Sequence, residues 1–188
     1  MSTTGEKPLR ADARRNRARV LTAAREVFAR DGAEAAIDVI AAEAGVGVGT
    51  VYRHFPTKAA LLTALVRERF QEFSVIAAEA SELEDPYEAF AAVVRRSCEA
   101  VEGDLAFQMA MMGSDDLQWE GVEEDKARVA DLVGAIIRRG VEAGVLRPDF
   151  SFEDFPMLMC GLTSTMYFQP GGADWRRHVE FVLAGVRA

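Results

Sequence analysis

Residues 40–62 read IAAEAGVGVGTVYRHFPTKAALL, and the fold turns on them. Ile37, Ile40, Ala41 and Ala44 recur at i, i+3, i+4 and i+7, the spacing of one face of a short helix. Gly45 stops that helix, and Gly45-Val-Gly-Val48 makes a four-residue turn. A further short helix fits Val48 to Phe55, before Pro56. Short helices joined by a glycine-bearing turn form a helix-turn-helix pattern. Ala41 and Ala44 are small, so the pair can cross closely, and Gly45 is free to take positive φ. Val46, Val51 and Phe55 are expected to point back at the preceding helix, Asp12 to Arg30. That helix has its own stripe in Val20, Leu21, Ala24, Val27 and Phe28.

The opposite face of the third helix then shows Val48, Gly49, Thr50, Arg53 and the polar edges of Tyr52 and His54. A helix of that kind fits a major groove, with its N-terminal residues nearest the base edges. Arg53 has the fork geometry for the O6/N7 pair of guanine, and the methyl of Thr50 suits a thymine methyl. Tyr52, His54, Thr57 and Lys58 are placed for phosphates, beside the free N–H groups that open the next helix.

Outward from this stretch the chain stays helical. Thr57 can cap a helix from about Lys58 to Ser81, with Leu61, Leu62, Leu65, Phe70 and Phe73 as its apolar series. Further helices fit 86–102, 104–113, about 120–143, 152–168 and 174–186, giving an all-α protein of about nine helices. Alanine fills 31 of the 188 positions and no strand alternation of useful length appears, which points the same way. The net charge of −8 argues against a polyanionic partner until it is divided by position. Residues 1–69 hold 12 Lys/Arg against 8 Asp/Glu, whereas residues 70–188 hold 10 against 22. A basic first third on an acidic body suggests that only one end meets nucleic acid.

The 40–62 stretch resembles the DNA-binding domain of the TetR family of bacterial regulators. That family's pattern runs I-A-x-x-A-G-V-[S/G]-x-G-[T/S]-[L/V]-Y-x-[H/Y]-F-x-[S/N/T]-K-x-x-L. Ile40, Ala41, Ala44, Gly45, Val46, Gly47, Gly49, Thr50, Val51, Tyr52, His54, Phe55, Thr57, Lys58 and Leu61 fit it in register. Two positions lack a hydroxyl cap that the family often has: Ala36, upstream of the pattern, and Gly47, where the pattern admits Ser or Gly. Those losses are worth about 1 kcal/mol for Ala and a few tenths for Gly. The closing stretch WRRHVEFVLAGVRA resembles an SbtR-like subgroup of the family.

The resemblance implies a basic N-terminal arm over 1–9, a DNA-binding domain over 10–56 and a linking helix from 57 to about 81. It implies an effector-binding and dimerisation domain over 82–188. It further implies a homodimer on a palindromic double-stranded operator, released by a small apolar effector. A regulator or interaction module without an effector is the alternative. Leu158, Leu162, Met166, Val179, Val182, Leu183 and Val186 form the apolar series expected at the dimer interface. Phe70, Phe73, Phe107, Met111, Met112, Ile137, Met159 and Met166 are the expected pocket lining, since flexible thioethers suit adaptable cavities.

Cys98 and Cys160 read as buried, unpaired thiols of a reducing compartment. With only His54 and His178 beside them, they offer no metal-site spacing and no cofactor motif is recognisable. Nucleophile–base signatures are lacking too, which argues against an enzyme. Neither a signal peptide nor a membrane span is legible, so a cytoplasmic location is expected.

Overall fold

The computed structural model describes residues 6–111, 121–168, 172 and 174–188. Among these residues it is all-α, with nine α-helices and two single 3-10 turns, Gly32–Glu34 and Phe152–Asp154. The helices are α1 (Glu6–Asp31), α2 (Ile37–Glu43), α3 (Val48–His54), α4 (Lys58–Ser81), α5 (Pro86–Val101), α6 (Leu105–Met111), α7 (Glu123–Glu142), α8 (Phe155–Phe168) and α9 (Trp175–Gly185). Helix α1 begins at Glu6, inside the stretch expected to be an arm. Pro8 falls in its first turn, where a missing backbone N–H leaves no helical bond unmade. The helix expected from 152 opens instead with a 3-10 turn closed by a reciprocal Ser151–Asp154 capping box, and α8 proper opens at Phe155.

The chain divides into two compact units, Met1–Val66 with Gly103–Gly121, and Arg67–Glu102 with Val122–Ala188. The first unit is built on α1. Val20, Leu21, Ala24, Val27 and Phe28 are all buried where α1 packs on α2 and α3. Ile40, Ala41 and Ala44 of α2, Val51 and Phe55 at α3, and Leu61, Leu62 and Leu65 of α4 are buried as well. Helix α6 packs on α1 and on the turn after it, burying Ala106, Phe107 and Ala110. Phe107 therefore serves the core of the first unit, and Met111 of the same helix is exposed; Met112 lies outside the described residues.

The second unit is organised around α5, which packs against α7, α8 and α9. Asp85 caps α5 by accepting from the N–H groups of Tyr87 and Glu88. Phe90 is fully buried and meets Phe150 and Phe155 edge-on at 5.4 and 6.4 Å between ring centroids. Arg95 donates twice to Glu180, at 2.9 and 3.0 Å, which joins α5 to α9 and holds the Glu180 carboxyl below its usual range. Cys98 is buried, as expected, and burial pushes its thiol up to about 12. Cys160 departs from expectation: it is exposed on α8.

The apolar series expected at a dimer interface lies mostly inside this unit. Leu162 and Leu183 are wholly enclosed, and Val179, Met166 and Val186 are buried with them. Leu158 and Val182 are half-buried. The protomer's own core takes the stronger stripe of each helix. What α8 and α9 leave outside is Met157, Tyr167, Phe168 and Phe181, exposed by 71, 43, 61 and 62%. Leu162→Ala should therefore cost about 2–5 kcal/mol in urea-induced unfolding, the usual loss for a core leucine. A cost below 1 kcal/mol would contradict its placement in the core.

Candidate nucleic-acid interface

The helix-turn-helix is fixed by hydrogen bonds within the turn. The N–H groups of Gly45 and Val46 donate to the carbonyls of Ala42 and Ala41, at 3.0 Å each. Gly45 itself has φ +61°, the left-handed conformation that closes α2. Arg19 of α1 reaches over and donates to the Gly45 carbonyl at 3.3 Å. A Cβ at position 45 would lie 2.6 Å from the Arg19 Nη2, the tip of a flexible side chain that can move aside, so it is the backbone sign that asks for glycine here. Ala36 and Gly47, the N-caps of α2 and α3, make no side-chain cap bond. The N–H of Thr50 is instead satisfied by the Gly47 carbonyl at 2.8 Å.

With Val51 and Phe55 buried, α3 turns Val48, Gly49, Tyr52 and Arg53 to solvent, with Thr50 and His54 half-buried at the flanks. Arg53 folds back along its own helix, donating from Nε to the Gly49 carbonyl at 3.0 Å and from Nη2 to the Thr50 hydroxyl at 3.5 Å. Its guanidinium thus lies over the first turn of α3. Thr57 accepts from the N–H of Ala60 at 3.0 Å, capping α4 as its position suggested. The Lys58 ammonium stands 5.6 Å from the Phe28 ring centre, so its stem is anchored on α1 at the start of α4. All eight residues expected at DNA therefore lie on α3 or at the α4 start of the first unit.

Sequence reasoning missed two arginines of α1. Arg19 braces the turn, and Arg17 lies over the face of the Phe55 ring at 5.2 Å, beside the end of α3. Arginine at a stripe boundary gives no periodic signal, so only the tertiary contacts expose them. The residues expected to line an effector pocket are spread more widely. Phe70 and Phe73 are half-buried on α4 and meet edge-on at 5.9 Å; Ile137 and Met166 are buried, and Met159 is half-buried. These five belong to the second unit, whereas Phe107 and Met111 belong to the first. The second unit holds a groove of about 570 Å³ between α4 and α7, lined by Gln71, Ser74, Val75, Ala78, Asp125, Arg128, Asp131 and Leu132. It shares no residue with the expected set.

Among the described residues no helix is long and apolar enough to cross a membrane, and no three His, Cys, Asp or Glu side chains gather as metal ligands. Gly45→Ala should cost about 1–2 kcal/mol, the penalty for a Cβ in the left-handed region, and weaken DNA binding by displacing Arg19. Chemical unfolding and a binding titration check it; a stability unchanged within 0.3 kcal/mol would contradict the turn described here.

Residues 20–65 match the profile of the bacterial regulatory proteins of the tetR family. No curated protein matches this chain. A TetR transcriptional regulator from Streptomyces coelicolor is 28% identical, covering 91% of this chain and 98% of its own, with a TM-score of 0.62. FadR from Bacillus subtilis, a transcriptional regulator crystallised with stearoyl-CoA, shares the fold at 20% identity and a TM-score of 0.73, over 89% of this chain and 95% of its own. The TetR transcription regulatory protein from Mycobacterium vanbaalenii is 32% identical over 96% of this chain and 100% of that one, with a TM-score of 0.66. Likeness of that extent, from the helix-turn-helix through the helical remainder, makes this chain a member of the TetR family of DNA-binding transcription regulators.

Proposed function

We propose that the protein is a sequence-specific regulator that binds a palindromic operator as a homodimer and releases it when a small, mostly apolar molecule binds the second unit. Repression by occupancy of the operator is the mode this reading implies. The observation that carries it is the outward row Gly49, Thr50, Tyr52 and Arg53 on an α3 locked from behind by Val51 and Phe55. Arg53 supplies the bidentate guanine contact once it swings from the Gly49 carbonyl, and Thr50 the thymine contact. Tyr52, His54, Thr57 and Lys58 hold phosphates, positioning without specifying. Val48 and Gly49 let the helix end approach the groove closely.

A homodimer follows from what α8 and α9 leave uncovered, Met157, Phe168 and Phe181. Two α3 helices about 34–36 Å apart, or a multiple of that, would then meet successive major grooves. The effector reading rests on the α4–α7 groove, whose middle is Val75, Ala78 and Leu132. Both ends are clamped: Asp125 accepts from Arg67 at 2.8 Å and from Gln71 at 3.3 Å, and Arg139 donates to the carbonyls of Ser81 and Leu83 at 2.9 and 2.8 Å. A ligand there would touch α4 along the helix that begins at Lys58. The FadR relative, which holds an acyl-CoA, supports a ligand with an apolar body. The stretch 82–188, together with the helix leading to it, is the effector and dimerisation part in this reading, with α6 the exception that packs on α1.

Footprinting and gel shifts on the DNA upstream of the protein's own coding region test the whole. Arg53→Ala should lose about 1–3 kcal/mol of discrimination at one or two base positions. Lys58→Ala should weaken all sequences alike and flatten the log–log salt slope by about 1. Equal loss of specificity from both would overturn the two roles. Phe181→Glu places a charge on the proposed interface without a partner, so sedimentation should show monomers where the native chain gives dimers. A native chain that stays monomeric at micromolar concentration would end the dimer.

A further inference from the structure

Two residues in the first turn of α3 do nothing for the fold. Gly49 is the second residue of the helix, a place where glycine is a poorer helix former than alanine. Its backbone is not in the left-handed region, and a Cβ there would meet nothing within 4 Å. Neither backbone sign nor packing asks for glycine, in contrast to Gly45. Val48, which opens the helix, is 40% exposed, a stiff apolar side chain held out of the core. Gly47 before it has φ −71° and ψ 146°, and a Cβ there too would meet nothing within 4 Å. The isopropyl group of Val48 therefore stands between two positions that carry no side chain. One turn on, Tyr52 is exposed on the same face, at i+4. Arg53 takes the other edge of this turn, on the Gly49 carbonyl and the Thr50 hydroxyl.

We infer that Val48 is a specificity-determining residue, whose isopropyl group reads the C5-methyl of one thymine in each half-site. The inference rests on the proposed docking of α3 and adds the base that its first side chain selects. A recognition helix brings its first residues nearest the base edges. With no Cβ at 47 or 49, the backbone comes closer to the duplex and carries Val48 in with it. A valine side chain has neither donor nor acceptor. In the major groove the thymine methyl is the one apolar feature that the four base pairs display; the others are donors and acceptors. Against those, an isopropyl group would displace water without replacing its hydrogen bond. Val48 thus favours thymine twice over, by gaining contact there and by leaving a polar group unpaired elsewhere. Position 48 is the one left open between Gly47 and Gly49 in the family's pattern, so the preference is this chain's own.

The test starts from a duplex that the native chain enriches out of a random library. Thymines of one half-site are replaced by uracil one at a time, which removes the C5-methyl and nothing else. Titrations with the native chain and with Val48→Ala then form a coupling cycle at each thymine. For the native chain, one thymine should show a loss of about 4-fold, the worth of one buried methyl group. In Val48→Ala the same uracil should cost less than about 1.5-fold, because the partner of the methyl is gone. Val39, exposed on α2, is the control for lost apolar surface, and Val39→Ala should keep the native pattern of losses. Both changes put alanine at exposed helical positions, so the fold should stand, and urea unfolding checks it. Gly49→Ala should hold or raise the urea midpoint and still weaken binding, because its Cβ is kept off the duplex rather than out of the core. A uracil loss that persists in Val48→Ala at every thymine, or no loss at any, would overturn the inference and leave α3 in its role. Unchanged affinity in Gly49→Ala would remove the close approach and overturn it as well. A native chain that enriches no duplex would strike the α3 reading first, and this inference with it.

Discussion

Burial of Val51 and Phe55 decides what α3 can offer to a partner. A helix advances about 100° per residue, so fixing two positions one turn apart fixes the azimuth of every other. With 51 and 55 inward, 49, 52 and 53 must face out, and 50 and 54 fall on the flanks, as their exposure shows. That orientation depends in turn on the angle between α2 and α3. The angle is held by the left-handed Gly45, the two turn hydrogen bonds and the Arg19 guanidinium on the Gly45 carbonyl. Missing caps at Ala36 and Gly47 are tolerable because tertiary burial, rather than capping, carries these seven-residue helices.

The same logic explains which features could be read in the sequence. The helix-turn-helix was legible because each element has one strong stripe, a glycine stop and a fixed spacing. Eight of the nine helices were expected within a few residues of where they begin and end. The exception is α1, whose first turns carry no apolar pattern and contain Pro8, so that nothing in periodicity marks them as helical.

The assignment of faces in the second unit was harder for a different reason. Helix α8 reads FPMLMCGLTSTMYF, apolar on every side, so composition does not say which stripe turns inward. The structure answers with Phe155, Leu162 and Met166 inside and Met157, Cys160 and Phe168 outside. On α9 the regular series Trp175, Val179 and Leu183 is the protomer's core, and the lone Phe181 across from it is the side left over. A strong stripe marks where a chain folds on itself; the weaker remainder is what a second copy could cover. The expected pocket residues are spread over both units for a related reason: Phe and Met mark apolar volume, but not whether it is filled. Phe107 fills the first unit's core, and the open groove is lined instead by Val75, Ala78 and Leu132 with polar residues such as Ser74 and Arg128, and by neither Phe nor Met.

Charge segregation supplies the remaining constraint on binding. A polyanion is repelled by the acidic residues 70–188 and attracted by the first third of the chain, so orientation is selected before any hydrogen bond forms. The acid-free run from Ala13 to Arg25 sharpens that selection, because no carboxylate there offsets the arginines. Like charges along this stretch of α1 repel one another, offset within the protein by the Asp12–Arg15 pair. Arg17 on Phe55 and Arg19 on Gly45 place two of those charges in contact with the helix-turn-helix. Both contacts tie the charged stretch of α1 to the elements that set how α3 is oriented.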